Sequence, residues 1–280
     1  MSLTDAQWAR IEPSLPDRTP KRGGRWRDQR LGDPASAFTF RTGTRWVHLP
    51  EKYGNWRGVY NRLRRWAVDG RPSPLLVGLD HQRGSVDSTI FRVHRHAAGA
   101  RKKGDPAGEP ADHAIGRSRG GLSAKIHLAA DGRCRRLAFG LTGGQASEAP
   151  AFTQATARLR VPRRRGRPRT RPDVILADKA CSSRTIREHL RSRRTRAVAP
   201  FRADQNSHRL RRGSRGGRLP VVDRRRHKQR NTAERCSNRL KQWREIATRC
   251  EKTLTVYLAG VHVVGIFLRS ARRFGWDGLG

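Results

Sequence analysis

Three acidic residues stand in positions where a carboxylate could do chemistry. Asp87 lies in the strand-like segment Ser85–Ile90, and Asp178 ends the apolar run Val174–Ala177. Carboxylates at strand ends suit Mg²⁺, which takes oxygen ligands and keeps part of its water shell. Two such ions roughly 3.5–4 Å apart activate a water or a 3′-hydroxyl and stabilise the leaving oxygen of a phosphodiester. These two aspartates are therefore candidate metal ligands for phosphoryl transfer.

The third acid, Glu234, lies on a segment with helical periodicity, predicted as a long helix over 229–249. His227, Arg230, Glu234 and Lys241 are separated by 3, 4 and 7 residues and share one helical stripe. A second, apolar stripe should face the core; it consists of Cys236, Leu240, Trp243 and Ala247. Glu234 could then point at the metal while Arg230 and Lys241 point at phosphate. The alternative for Glu234 alone is an ordinary surface pair with a neighbouring arginine.

The charge balance indicates a polyanionic partner. The 280 residues include 62 Lys plus Arg and 23 Asp plus Glu, a formal net charge of +39. Such a chain repels itself, and nucleic acid is the obvious counterpart. A membrane surface is the competing partner, but no basic amphipathic helix stands beside a hydrophobic anchor. The longest apolar stretch, Val256–Leu268, is too short and interrupted to span a bilayer, so we expect a cytoplasmic protein.

The segment 46–66 predicts a DNA-binding helix. A short helix over Trp46–Tyr53 and a turn at Gly54 precede an amphipathic stretch. Its apolar face consists of Trp56, Val59, Tyr60 and Leu63, and its polar face of Arg57, Asn61, Arg64 and Arg65. This arrangement is typical of the second helix of a helix-turn-helix. The alternative is an amphipathic helix with a solvated basic side.

The remaining pattern predicts a mixed α/β domain. Pro34 weakens an earlier helix, and the Gly- and Pro-containing segment 69–84 marks a boundary between domains 1–75 and 84–272. The predicted strands are 85–91, 123–129 and 134–141, the last two joined by a turn at 130–132, then 174–177 and 197–199. The other predicted helices are 149–159, 183–190 and 255–272.

Several basic groups could hold nucleic acid. The loop Pro162–Arg171 contains Arg165 and Arg167 around a glycine, a pattern that fits a narrow minor groove. A second basic loop is expected over Arg209–Arg218. Arg117 and Arg119, before two glycines, could bind a phosphate through guanidinium and backbone N–H groups. His94 and His96 would share one face of a continuing strand, but no third zinc ligand follows at useful spacing.

Several segments resemble the transposases of bacterial insertion sequences, in the insertion-sequence-five group of DDE enzymes. The segments that carry the resemblance are 41–44 (RTGT), 60–66 (YNRLRRW), 116–121 (GRSRGG), 177–180 (ADKA) and 229–236 (QRNTAERC). The resemblance implies an RNase H-like mixed-sheet catalytic domain and a small N-terminal all-α helix-turn-helix domain. It implies Mg²⁺, with Mn²⁺ as a substitute, held by Asp87, Asp178 and Glu234. Of the family's Tyr-x2-Arg-x3-Glu-x6-Lys signature, Arg230, Glu234 and Lys241 are kept, while His227 stands at the tyrosine position.

The sequence leaves three functional hypotheses. The first is an enzyme that binds the terminal inverted repeats of its element, cleaves there and transfers the 3′-hydroxyl to target DNA. Joining two ends requires a homodimer on double-stranded DNA. The second is a decayed remnant that binds DNA without cutting, favoured by the polar segment 81–84 before Asp87. The third is a basic RNA or nucleoid protein, which would need no acidic cluster; metal-dependent cleavage separates the first from the others.

Overall fold

The computed structural model describes residues 5, 8–9, 29–68, 83–99, 108–131, 136–157, 159, 166–167, 169–217 and 223–271. Its N-terminal part begins with α1 (Gln29–Thr42). The weakening expected from Pro34 is not observed, since the helix runs through it. A proline near the start of a helix removes a single backbone hydrogen bond. The buried Ala35, Ala37 and Phe40 that follow pack this helix into the core.

Two 3₁₀ turns, Trp46–His48 and Glu51–Tyr53, take the place of the single short helix predicted over this segment. Pro50, between them, lacks the N–H that a continuous helix needs. Gly54 then adopts a φ of 80°, in the left-handed region, and α2 (Trp56–Val68) begins two residues later. The predicted division of α2 is confirmed. Val59 and Leu63 are buried, whereas the polar-face residues are exposed, namely Arg57, Asn61, Arg64 and Arg65.

The described strands form one mixed sheet. They are β1 (Arg83–Val93), β2 (Gly116–Ser118), β3 (Gly121–Asp131), β4 (Arg136–Gly143), β5 (Val174–Leu176), β6 (Arg196–Val198) and β7 (Thr248–Arg249). The central order is β4-β3-β1-β5-β6, in which β3 is antiparallel to both neighbours and β5 and β6 run parallel to β1. This is the RNase H-like arrangement, so the expected fold class is confirmed. The predicted turn at 130–132 is wrong at its start, because β3 continues to Asp131, which pairs with Gly84.

Helices follow the strands along the chain. They are α3 (Arg95–Ala98), α4 (Glu148–Ala157), α5 (Arg184–Ser192), α6 (Ala203–Arg211), α7 (Arg224–Lys228), α8 (Asn231–Lys241), α9 (Arg244–Ala247) and α10 (Leu254–Ala271). Ser183 caps α5 by accepting a hydrogen bond from the Ile186 N–H. None of the helices in the described part of the chain is long and apolar enough to cross a membrane.

Two predictions about these segments are wrong, and the condition for a shared face of His94 and His96 is not met. The helix predicted over 229–249 ends at Lys241, because Trp243 is extended and buried and the chain then turns so that β7 pairs with β1. The run Arg209–Arg218 is not all loop, because its first residues end α6 and a 3₁₀ turn follows over Gly213–Gly216. The strand does not continue through His94, which caps α3 instead.

The sheet is covered on both faces. On one face α8 and α10 pack on β1 and β3, and the N-terminal helices join the same core through Phe40 and Leu63. On the other face α4 and α5 pack through Phe152 and Ile186. Gly260 of α10 lies directly under the Phe40 ring, where a Cβ atom would overlap the ring. The N-terminal helices therefore share a hydrophobic core with the C-terminal helix.

Candidate active site

The register of β1 and β5 positions the two predicted aspartates. Ser85 of β1 is paired with Leu176 of β5 in parallel. Asp87 lies two residues after Ser85, and Asp178 lies two residues after Leu176, where β5 ends. Both aspartates therefore follow the paired segment at the same end of two neighbouring strands, which are roughly 4.8 Å apart in a sheet. Asp178 follows the end of β5 and caps the 3₁₀ turn Lys179–Cys181, where its Oδ1 accepts a hydrogen bond from the Lys179 N–H at 2.7 Å.

Helix α8 brings the third acid to this place. The Ser237 hydroxyl donates a hydrogen bond to Asp87 Oδ2 at 2.9 Å. Glu234 lies one helical turn before Ser237, and residues three apart occupy the same side of a helix. The charge of Glu234 also contributes to raising the pKa of Asp87. Glu234 is therefore an electrostatic neighbour of Asp87, and Asp178 is related to Asp87 by the register of the two strands. The fold thus brings together three acids that are far apart in the sequence.

Side-chain donors of the protein engage two of these carboxylates. Burial is the main cause that raises the pKa of Asp87, while the Ser237 hydrogen bond and the Arg230 charge oppose that rise. The Arg230 guanidinium donates to Glu234 Oε1 and forms an ion pair with it; the Arg230 side chain is 17% exposed and that of Glu234 44%. Arg230 thus neutralises part of the negative charge of this acidic group.

A fourth acid, Glu148, belongs to the same electrostatic group. It begins α4, and the Cys181 thiol donates to its Oε2 at 3.9 Å. Burial raises the pKa of Glu148, the charges of Asp178 and Asp87 raise it further, and Lys125 opposes them. This residue was not predicted from the sequence. Its one local signal was an acid directly before the predicted helix 149–159, which is common at helix starts.

Asp87, Asp178 and Glu234 form a donor set that fits a hard divalent cation. All three supply carboxylate oxygens, the ligand type that Mg²⁺ prefers. In the described residues, no three His, Cys, Asp or Glu side chains converge closely enough to form a ready metal site. Ion binding by all three would therefore require these carboxylates to move closer together.

The predicted stripe of the helical signature is divided between two helices. Arg230 stands at the N-terminus of α8, and Glu234 lies in its first turn. Lys241 is exposed at the end of α8, with Nζ 5.8 Å from the centre of the Phe91 ring. His227 lies in the separate helix α7, and its Nε2 is buried with no hydrogen-bond partner among the described residues.

The predicted DNA contacts do not all lie beside the acids. Arg117 and Arg119 are exposed around the β2–β3 hairpin turn. Asp87 pairs with Leu128, seven residues along β3 from Gly121, so the hairpin is roughly 20–25 Å away along the strand. Arg167 is exposed, and Arg165 lies outside the described residues.

The exposed basic face of α2 is held near the other end of β1. Trp46 Nε1 and the Tyr60 hydroxyl donate hydrogen bonds to the Glu251 carboxylate, at 3.0 and 3.4 Å. Glu251 follows β7, which pairs with the last residues of β1. The exposed residues Arg57, Asn61, Arg64 and Arg65 therefore lie towards the end of β1 that is distant from Asp178.

Comparison with known proteins matches most of the chain to two sequence families. Residues 78–263 match a family described as "Transposase DDE domain", and residues 3–73 match one described as "Putative transposase of IS4/5 family (DUF4096)". The first match alone covers more than half of the chain.

Similar individual proteins cover shorter or more distant parts. The uncharacterized protein y4sN of Sinorhizobium fredii is 38% identical over 104 residues, which are 36% of this chain and 83% of that protein. A "Putative transposase for insertion sequence element IS6501" of Brucella ovis is 47% identical over 45 residues, 16% of this chain and 35% of that protein. Among solved structures, the Mos1 transposase paired-end complex with left transposon end aligns with a TM-score of 0.26 and 16% identity, covering 97% of this chain and 85% of that chain.

Proposed function

This chain belongs to the DDE transposase family, and from that premise we propose that it cuts and joins DNA at the ends of an insertion sequence. The observation that supports the proposal best is the β1–β5 register, whose last pair, Ser85 and Leu176, precedes Asp87 and Asp178 by two residues each. The Ser237–Asp87 hydrogen bond adds Glu234 from a third segment. A basic protein that only coats nucleic acid has no need for such a group.

Asp87, Asp178 and Glu234 are the residues that would hold Mg²⁺, with Mn²⁺ able to replace it. When bound, the metal supplies an activated water or 3′-hydroxyl and neutralises charge on the leaving oxygen. Lys241 and Arg230 would bind DNA phosphate. Because phosphate competes with Glu234 for the Arg230 guanidinium, DNA binding would release the Glu234 carboxylate at the site where it is needed.

DNA would be held by basic groups on several elements. The exposed face of α2 would bind the terminal inverted repeats through Arg57, Asn61, Arg64 and Arg65. Further contacts with the double strand would come from Arg117, Arg119, Arg165 and Arg167. Joining the two ends of an element to target DNA requires two active sites, so we infer a homodimer on DNA.

The test is cleavage of a labelled duplex that carries the element's own end, with Mg²⁺ or Mn²⁺. Asp178→Ala should abolish nicking at the end, since it removes one of three metal-binding carboxylates; the loss should be on the order of 100-fold or more. Asp173→Asn is the matched control, because this exposed aspartate lies just before β5 and pairs with Arg169. If neither the original chain nor the control cuts with Mn²⁺ although both bind, the chain is a DNA-binding remnant.

A further inference from the structure

Helix α6 and the 3₁₀ turn after it form an exposed projection, here called the α6 arm (residues 202–216). Neither element has a buried residue, and Leu210 is 66% exposed. The arm closes on itself at Gly216, where a Cβ atom would overlap the Arg209 carbonyl. A nine-residue helix without a buried apolar face gains little stability alone. The lack of buried residues therefore indicates that the exposed surface of the arm binds a partner.

The arm is attached beside the acidic group. Ser182 donates a hydrogen bond from its hydroxyl to Gln205 Oε1 of α6 at 3.0 Å. Ser182 ends the 3₁₀ turn that begins directly after Asp178. At the base of the arm, the guanidinium groups of Arg187 and Arg209 lie 3.8 and 5.2 Å from the centre of the Phe201 ring. Ser182 lies four residues after Asp178 in the sequence. Its hydrogen bond to Gln205 therefore attaches the start of α6 to the segment that carries Asp178.

The positive charge of the arm indicates the kind of partner that it binds. Residues 202–216 contain five arginines and a single acid, Asp204. Asp204 pairs with Arg202 at 3.1 Å, and both side chains are more than half exposed. Arg211, Arg212 and Arg215 are exposed as well. A second copy of this chain, with its own net charge of +39, would be repelled, whereas a DNA backbone would be attracted.

We propose that the α6 arm is a DNA-backbone contact, separate from α2, that holds the duplex next to Asp178. The proposal rests on the proposed DNA transposition, and it adds a surface that neither the acidic residues nor α2 provide. Guanidinium groups on such a surface contact phosphates and carry no sequence information. The arm should therefore bind any duplex equally well.

The experiment measures affinity for a 30-base-pair duplex of arbitrary sequence at several NaCl concentrations, with EDTA present. Each phosphate contact contributes about 0.9 to the slope of log K against log salt. Arg211→Ala/Arg212→Ala should therefore lower the magnitude of the slope by about 2. Arg191→Ala/Arg196→Ala removes the same charge from exposed positions beside the start of β6, at the end of that strand away from Asp178, and should leave the slope nearly unchanged. Arg211→Lys/Arg212→Lys should keep it.

Each other outcome overturns the proposal. Equal losses in the two alanine variants would show a general effect of net charge, and an unchanged slope in the arm variant would exclude contact. A change in sedimentation without DNA, at unchanged slope, would make the arm a contact between copies. Because no divalent metal is present, the slope is independent of cleavage, so failure to cut DNA would refute the proposed function and leave this measurement valid.

Discussion

At the scale of single residues, the acidic group is a balance between like charges and their counter-charges. Burial raises the pKa of Asp87 and of Glu148; the charge of Glu234 raises the pKa of Asp87 further, and the charges of Asp178 and Asp87 do the same for Glu148. Two cationic side chains, Arg230 and Lys125, oppose those shifts. A buried group of carboxylates is costly unless cations compensate it, and this local excess of acid in a basic chain is a suitable place for a divalent ion.

Glu148 allows a test of this balance. Glu148→Gln keeps the shape of the side chain and the position of the Cys181 thiol but removes one negative charge. If the charge helps to hold the ion, nicking should fall about 10- to 100-fold, the usual effect of losing a group that supports metal ligands. The Mg²⁺ concentration for half-maximal nicking should rise, which a purely structural role would not produce.

Glu188→Gln is the control for that measurement. Glu188 is an exposed acid of α5 that pairs with Arg184 at 2.7 Å, so its loss removes the same charge outside the acidic group. If the Mg²⁺ dependence and the melting temperature of Glu148→Gln were both unchanged, Glu148 would not contribute to metal binding.

The three acids could be proposed from the sequence because Asp178 follows an apolar run, Glu234 lies on a polar helical stripe, and the family resemblance adds Asp87 to them. Glu148 could not be recognised, because its neighbours Asp178 and Asp87 are brought to it only by the sheet. Its own segment resembles any helix start. The same limit applies to Ser237, whose hydrogen bond to Asp87 depends on how α8 packs on β1.

At the scale of elements, local pattern predicted most strands and helices, and packing decided the exceptions. The periodicity of α2 and the apolar run of β5 were sufficient for their prediction. The end of the helix at Lys241 was not predictable from local sequence, because it depends on the long-range pairing of β7 with β1. Similarly, α1 passes through Pro34 because its later residues are buried.

Substitution of two helical glycines by alanine should have opposite effects on stability, because only one of them lies in the contact between α1 and α10. Gly260→Ala places a Cβ atom in the Phe40 ring, so it should lower the free energy of unfolding by about 1–3 kcal/mol, the usual cost of overpacking. Gly58→Ala, on α2, meets nothing within 4 Å. It should raise that free energy by roughly 0.5–1 kcal/mol, because alanine favours helix.

Denaturant unfolding of both variants measures these values. If Gly260→Ala were as stable as the original chain, the packing of Phe40 on α10 would be wrong. In that case the shared core of the N-terminal and C-terminal helices would lose its main support.

At the scale of the whole molecule, the N-terminal helices and the end of the sheet enclose a cleft of about 450 Å³. Its lining includes Trp46, Trp56 and Tyr60 together with Glu245 and Glu251. The two carboxylates are buried in a chain of net charge +39. Their protonation therefore affects how the N-terminal helices are joined to the rest of the protein.

Glu245 makes this junction dependent on pH. Burial, and then the charge of Glu251, raise the pKa of Glu245 to about 7 from an ordinary value of 4.5. Between these two values the folded chain holds a proton that the unfolded chain has lost. Stability therefore falls as pH rises through this window, and the penalty is fully present above it, at most about 3 kcal/mol.

Glu245→Gln stays uncharged at every pH and should remove this penalty. The variant should melt at a higher temperature than the original chain at pH 8 and at nearly the same temperature at pH 5. Glu188→Gln, whose acid is exposed on α5, should show no such difference. Thermal melts of the three proteins at pH 5 and pH 8 measure whether the stability difference depends on pH. A constant offset between Glu245→Gln and the original chain would mean that Glu245 ionises normally, and the junction of the N-terminal helices would then owe its stability to the apolar core alone.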